Sequence, residues 1–151
     1  MTRHAGSRQA RLDSRPVSSS ELEHSVRVQL RWRDMDMLGH LNQSVYHELL
    51  EEGRIALIAE LVRRLGDGHQ HGAYVLAHVD LTYLTEVRKD HGEVDVFVRL
   101  AHVGTSSLRL DNEIRLTDGT VAASGSSVLV AWDPVSRSKR FLTDRERAAL
   151  S

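Results

Sequence analysis

Asp34, Asp36, His40 and Asn42 stand close together in one stretch, RDMDMLGHLNQSVYHELLEEGR, from Arg33 to Arg54. A carboxylate can attack an acyl carbon or draw a proton from water, and an imidazole can orient it or bind that water. Gly39 marks a turn, because glycine tolerates backbone angles that other residues avoid. Helix-forming sequence begins at Gln43, so the acidic pair comes just before a helix N-terminus. The first N–H groups of a helix lack internal acceptors and carry partial positive charge. A carboxylate beside such donors suits hydrolysis: the acid attacks or activates water, and the donors stabilise an oxyanion. The bland alternative is helix capping, for which Asp and Asn are common choices. The residue types alone leave both readings open.

The elements around this stretch follow from periodicity. His24 to Trp32 alternates, with Val26, Val28, Leu30 and Trp32 on one face, as in a half-buried strand. A helix is predicted from Gln43 to Leu65. Its apolar face holds Val45, Leu49, Ala56, Ala59 and Val62, broadened by Leu50, Leu57, Ile58 and Leu61. So wide a face suits a helix wrapped by a sheet. Gly53 is a poor helix former and predicts close helix–sheet packing, and Gly66-Asp67-Gly68 ends the helix. Strands are predicted over 73–84, 93–103, 106–116 and 120–132. In the first, Val75, Ala77, Val79 and Leu81 form one face. Asp118-Gly119 is a hairpin signal, and the small residues Ala122 to Ser126 allow another backbone to come close. Asp133-Pro134 ends the last strand. Thr143-x-x-Glu146 is a capping box opening a short helix over 144–150. One helix cannot cover two faces of a sheet, so the sheet must curl round it. The layout is α+β: an antiparallel sheet of about five strands wrapped around one long central helix.

Composition narrows the function. The chain has 151 residues, enough for one domain with a core and too few for two ordinary ones. A formal net charge of −1 gives no electrostatic case for nucleic acid or an acidic membrane. No apolar run approaches the roughly 20 residues of a membrane span. Cysteine is absent, which excludes disulfides and a Cys nucleophile and fits a reducing, cytoplasmic setting. Residues 1–23 read as a disordered tail, rich in Arg and Ser and without an apolar signal segment. The single domain is therefore expected over 24–151. His69-Gln70-His71 has no third ligand at recognisable spacing, so no metal site is expected and the segment reads as a solvated loop.

The pattern Asp34-x-Asp36-x-x-Gly39-His40-x-Asn42-x-x-x-Tyr46-x-x-x-x-Glu51-x-x-Arg54 resembles the opening motif of the hotdog-fold acyl-CoA thioesterases, the 4-hydroxybenzoyl-CoA thioesterase-like family. The resemblance extends by pattern to about Trp132. It implies the hotdog fold and hydrolysis of an acyl-CoA thioester to a free acid and CoA, with no cofactor. It assigns Asp36 as the catalytic carboxylate, acting as nucleophile or general base, and the Gln43 backbone N–H as oxyanion donor. Many relatives have Asn where this chain has Gln43, which leaves a backbone donor but puts any side-chain contact in doubt. His40 and Asn42 are secondary catalytic candidates, Asn42 being equally a cap; Asp34 is expected to be structural. Tyr46 is a candidate pocket wall. Glu51 could face the acyl pocket or pair with Arg54, and the salt bridge is the expectation taken forward.

CoA carries phosphates, so Arg88 and Lys89 are candidate contacts, with Arg99 and Arg109 behind them. Ser106 and Ser107, after Thr105, sit where relatives show a Gly-x-Ser-Ser turn that could meet pantetheine. Relatives also build each site between two protomers, which implies a homodimer or homotetramer. The rival readings are a non-catalytic acyl-CoA-binding or regulatory hotdog protein and a thioesterase acting on acyl-carrier-protein thioesters. A hotdog dehydratase is disfavoured, since its Gly-Asp-x-Asn-Pro pattern is missing.

Overall fold

The computed structural model describes residues 22–66 and 73–151. The tail over 1–21 and the segment His69-Gln70-His71 lie outside the described residues. The elements, in chain order, are β1 (Glu23–Gln29), α1 (Gln43–Leu65), β2 (Ala73–Tyr83), β3 (Glu93–Val103), β4 (Ser107–Leu116), β5 (Val121–Asp133), β6 (Ser138–Lys139) and α2 (Asp144–Leu150). The sheet is antiparallel, in the order β1-β3-β4-β5-β2, with the two-residue β6 folded back on the end of β5. This is the expected α+β layout of the hotdog fold. The elements not expected are β6, which returns through a turn in which Arg137 takes φ 54°, and two single 3-10 turns over Trp32–Asp34 and Lys89–His91.

Helix α1 has the predicted bounds, and Val45, Leu49, Leu50, Leu57 and Leu61 of its predicted apolar face are buried. Leu50, Leu57, Leu61 and Leu65 face the sheet, while Ala59 is exposed and Ala56 and Val62 are half-buried. The sheet answers with Val94, Val96 and Val98 of β3 and Leu108, Leu110 and Ile114 of β4, all buried. Gly53 lies where the two layers come closest. A Cβ built there would stand 2.5 Å from Val98 Cγ2 and 2.9 Å from Val96 Cγ1. A second close approach lies within the sheet. At Gly125 a Cβ would sit 1.9 Å from the Asp80 carbonyl oxygen, so only glycine lets β2 and β5 pair there.

Two strand expectations change. Trp32 does not continue the inward face of β1. The strand ends at Gln29, a single 3-10 turn spans Trp32–Asp34, and Trp32 is left 80% exposed. At the start of that strand, Leu22 is buried and pairing begins at Glu23. In β2 the alternation does not hold through the strand, because a bulge between Leu76 and His78 shifts the register. An extra residue transfers later side chains to the other face. Tyr74 is therefore half-buried before the bulge, and Val79 and Leu81 after it, whereas Val75 and Ala77 are exposed. Among the described residues β2 pairs only with β5, so its outer edge is open there.

The C-terminal helix is locked by one buried acid. Glu146 is fully buried and closes the capping box: Thr143 N–H donates to its Oε1 at 3.0 Å, and its own N–H donates to Thr143 Oγ1 at 3.1 Å. The Arg140 guanidinium donates to both oxygens, at 2.6 and 3.1 Å, and the Tyr74 hydroxyl donates to Oε2. Burial pushes this carboxyl up, but Arg140, Thr143 and Tyr74 outweigh it and hold it at about 2 against an ordinary 4.5. Burial, then the pairing with Glu146, pushes the Tyr74 hydroxyl up.

Two outcomes are expected. A folded-state value below the unfolded one stabilises the chain fully above pH 4.5, and the contribution, up to about 3 kcal/mol, disappears as pH falls towards 2. Glu146→Gln should flatten that part of a melting-temperature profile and lower stability near neutrality by roughly 2–3 kcal/mol; an unchanged profile would dismiss the lock. Gly53→Ala should cost about 1–2 kcal/mol in denaturant unfolding, because crowding two stiff valines outweighs the helix propensity gained.

Candidate active site

The loop between β1 and α1 is held almost entirely by backbone. Asn42 N–H donates to the Asp34 carbonyl at 2.8 Å, Asp36 N–H to the His40 carbonyl at 2.8 Å, and Gly39 N–H to the Asp36 carbonyl at 3.1 Å. Gly39 takes φ 77°, the left-handed conformation the turn requires. Leu41 N–H donates to the Val87 carbonyl at 2.7 Å, and His40 and Arg88 form an isolated antiparallel bridge. The segment after β2 thus clasps the loop from the side. Asp34 lies beneath it, 4% exposed, accepting from the Arg31 N–H at 2.7 Å and from the Arg31 guanidinium at 3.0 Å. Burial works to raise this carboxyl, and the Arg31 contacts prevail and leave it below its usual value. Its role is structural.

Asp36 is different. It is exposed, and its Oδ1 accepts from the Leu38 N–H at 2.9 Å and the His40 N–H at 3.1 Å. Among the described residues its Oδ2 accepts no hydrogen bond. One oxygen is therefore anchored and the other left open, and Asp36 lines a cavity of about 370 Å³. Gln43, Tyr46, Tyr83, Thr85 and Glu86 share the lining of that cavity with Asp36. Gln43 is the first residue of α1, so its N–H has no acceptor within the helix. The next two donors are taken: Ser44 N–H by Asn42 Oδ1 at 3.0 Å, and Val45 N–H by the Asn42 carbonyl at 2.9 Å. Asp36 and Gln43, whose N–H has no acceptor among the described residues, thus line the same cavity. Tyr46 is buried and packs edge-on against Tyr83 at 4.9 Å, forming the cavity's apolar side. Burial, then the neighbouring Tyr83 and Asp36, push its hydroxyl up.

The other sequence candidates take different places. The His40 ring meets Glu86, Nε2 to Oε2 at 2.6 Å, and it is the His40 backbone, not the ring, that orients Asp36. Asn42 caps α1 through its side chain, which commits its Oδ1 to Ser44. The expected Glu51–Arg54 salt bridge is not formed. Both residues instead line a second cavity further along α1, since Arg54 is drawn into the packing while Glu51 stays exposed. Arg88 and Lys89 do border the loop. The Arg88 guanidinium is engaged by Glu86 at 2.9 Å and Asp90 at 3.0 Å, whereas Lys89 Nζ lies 5.2 Å above the exposed Trp32 ring.

Ser106 and Ser107 lie near the other end of α1. Their turn is tied to β5 and α2 through Ala131 N–H to the Ser106 carbonyl and Arg147 to the Gly104 and Thr105 carbonyls. The C-terminus of α1 meets α2 through Arg145 and the Leu65 carbonyl. Within one chain these serines are therefore not brought to Asp36. Of the reserve cations, Arg99 pairs with Asp111 at 3.0 Å and Arg109 is exposed on β4. Sequence reasoning missed Tyr83, Thr85 and Glu86. Only the clasp between Val87 and Leu41 brings them to the cavity, and no local pattern announces that contact. No cluster of three or more metal-ligating side chains occurs among the described residues, and no helix there is long and apolar enough to cross a membrane.

Comparison with known proteins agrees with this fold. The family model described as the thioesterase-like superfamily matches residues 30–146. YsmA, an uncharacterised protein of Bacillus subtilis (strain 168), is 27% identical over 124 residues, 82% of each chain. The PA2801 protein from Pseudomonas aeruginosa has a structure with TM-score 0.73 at 29% identity, covering 87% of this chain and 99% of its own. A thioesterase from Thermus thermophilus, solved with coenzyme A and Zn, has TM-score 0.69 at 31% identity, covering 83% and 95%. The chain belongs to the thioesterase-like superfamily, and with it to the thioester hydrolases.

Proposed function

We propose that the chain hydrolyses acyl-CoA thioesters to a free acid and CoA, with Asp36 as the reacting carboxylate. The observation that carries the reading is that one cavity is lined both by Asp36, with one oxygen anchored and one open, and by Gln43, whose N–H has no acceptor among the described residues. The thioester carbonyl oxygen sits at the Gln43 N–H, where the helix dipole and the donor stabilise the negative charge of the tetrahedral intermediate. Asp36 Oδ2 either attacks the carbonyl carbon, giving a mixed anhydride that water then opens, or takes a proton from the attacking water. In both routes the C–S bond breaks and the thiolate leaves to be protonated as free CoA. Family membership supports hydrolysis. The Thermus relative solved with coenzyme A supports CoA over a carrier protein as the thioester's bearer.

CoA phosphates need a cation at the cavity rim. Lys89 fits better than Arg88, whose charge two carboxylates already meet. The sheet edge supplies the argument for a second copy: among the described residues β2 is unpaired along its outer side, and Leu76, Tyr83 and the following Leu84 are 46%, 46% and 56% exposed. Exposed apolar edges are sites of further pairing, so the functional unit is at least a homodimer.

Thiol release across acyl-CoAs of graded length and matched carrier-protein thioesters should favour CoA. Asp36→Ala should lower that rate by about 100-fold or more; retention of a tenth of the wild-type rate would remove Asp36 from the chemistry. Light scattering at micromolar concentration should give at least twice the chain mass of 17.0 kDa, and a monomer would contradict the paired edge.

A further inference from the structure

A second cavity, of about 510 Å³, opens between α1 and the strands β2 and β5. Its walls are mainly apolar, with Ile55 and Ile58 from the helix, Leu76 from β2 and Leu129 from β5. Its size is that of a small-molecule site. Arg54 also forms part of the wall and is only 8% exposed. Its Nη1 is buried and has no hydrogen-bond partner among the described residues. A guanidinium N–H cannot be silenced by deprotonation, so a buried one requires an acceptor. Glu51, one turn back, does not supply it, although its charge partly offsets the effect of burial on Arg54.

The two cavities share one side of the helix. Gln43, His47, Glu51, Arg54 and Ile58 recur at three- and four-residue spacing and form one stripe. Gln43 lines the first cavity and the rest line the second. We propose that this stripe is the floor of the acyl site and that Arg54 selects acyl groups carrying a neutral oxygen acceptor, a hydroxyl or a keto carbonyl, remote from the thioester. The proposal rests on the thioesterase reading for the position of the thioester at Gln43. Eleven residues separate Gln43 from Arg54, about 16 Å along the axis. The acceptor therefore belongs at the far end of a medium-length chain. The charge of the cavity decides its class. Glu48 and Glu51 line the same space, so a terminal carboxylate would meet two like charges. A plain methyl end would leave Nη1 without an acceptor. A neutral oxygen satisfies Nη1 without that repulsion, and a hydroxyl can in addition donate to Glu51.

The test uses the full chain and S-(2-oxoalkyl)-CoA analogues, which keep the carbonyl and cannot be hydrolysed. Chains of matched length end in methyl, hydroxyl or carboxyl, and calorimetry gives each Kd. The hydroxyl-ended analogue should bind about tenfold tighter than the methyl-ended one. In Arg54→Met that ratio should fall to about one, and Arg54→Lys should restore part of it. Equal binding of the two by the wild type overturns the proposal, and needs no variant to fold. A ratio surviving in Arg54→Met, tightest binding of the carboxyl end, or binding of no analogue would also overturn it. Because the readout is binding, failure of the hydrolase reading is seen separately, as absent thiol release from every hydrolysable acyl-CoA.

Discussion

The close approach of α1 to β3 at Gly53 is the constraint on which the rest depends. With no side chain at that position, the helix settles onto Val96 and Val98, and the sheet can curl round it. That contact fixes where the helix runs, and so where its N-terminus emerges. The N-terminus comes out beside Val87 and Arg88, whose backbone receives Leu41 and His40. The candidate site is thus a consequence of packing elsewhere: a helix set at a different height would present Gln43 to a different loop.

Within that frame the site's electrostatics come mostly from backbone. Asp36 is aimed by two N–H groups of its own loop, and the donor proposed to work with it is the first N–H of the helix. None of these depends on a side chain that could rotate away, which suits a site that must meet developing charge without reorganising. Charged side chains are engaged in other tasks: Arg31 on Asp34, Arg140 on Glu146, Arg88 on two surface carboxylates. Arg54 departs from that pattern. Its buried Nη1 has no acceptor among the described residues, and it borders a cavity on the same helix face as the reacting end.

Much of this was legible in the sequence where the signal was local. The helix limits, the Gly53 contact, the Thr143–Glu146 box and the acidic turn before Gln43 all rest on residues near one another in the chain. The failures were non-local. On α1 the inward leucines Leu49, Leu50, Leu57 and Leu61 follow the sequence pattern, but Ala59 of the same predicted face is exposed and Leu65 is buried as well, since the curled sheet decides how far round the helix the contact extends. The bulge in β2 reverses its faces without any Gly or Pro to mark it. Glu51 and Arg54 have the spacing of an ion pair, yet the arginine is drawn into the packing instead. Ser106 and Ser107 sit in a turn that closes against α2 at the far end of the helix, so no contact within one chain tests their expected role. The motif singled out Asp36; only the three-dimensional clasp showed that Tyr83 and Glu86 line the same cavity.

The central claim is that Asp36 works as a carboxylate and not merely as the turn's acceptor. Asp36→Asn separates the two roles, since the amide oxygen can still accept from Leu38 and His40 while the negative charge is lost. The decisive measurement is thiol release from the best acyl-CoA by this variant, with its melting temperature taken alongside. A melting temperature within about two degrees of wild type, with turnover reduced about 100-fold or more, is the predicted result. Turnover near the wild-type rate would contradict the account and reduce Asp36 to a cap.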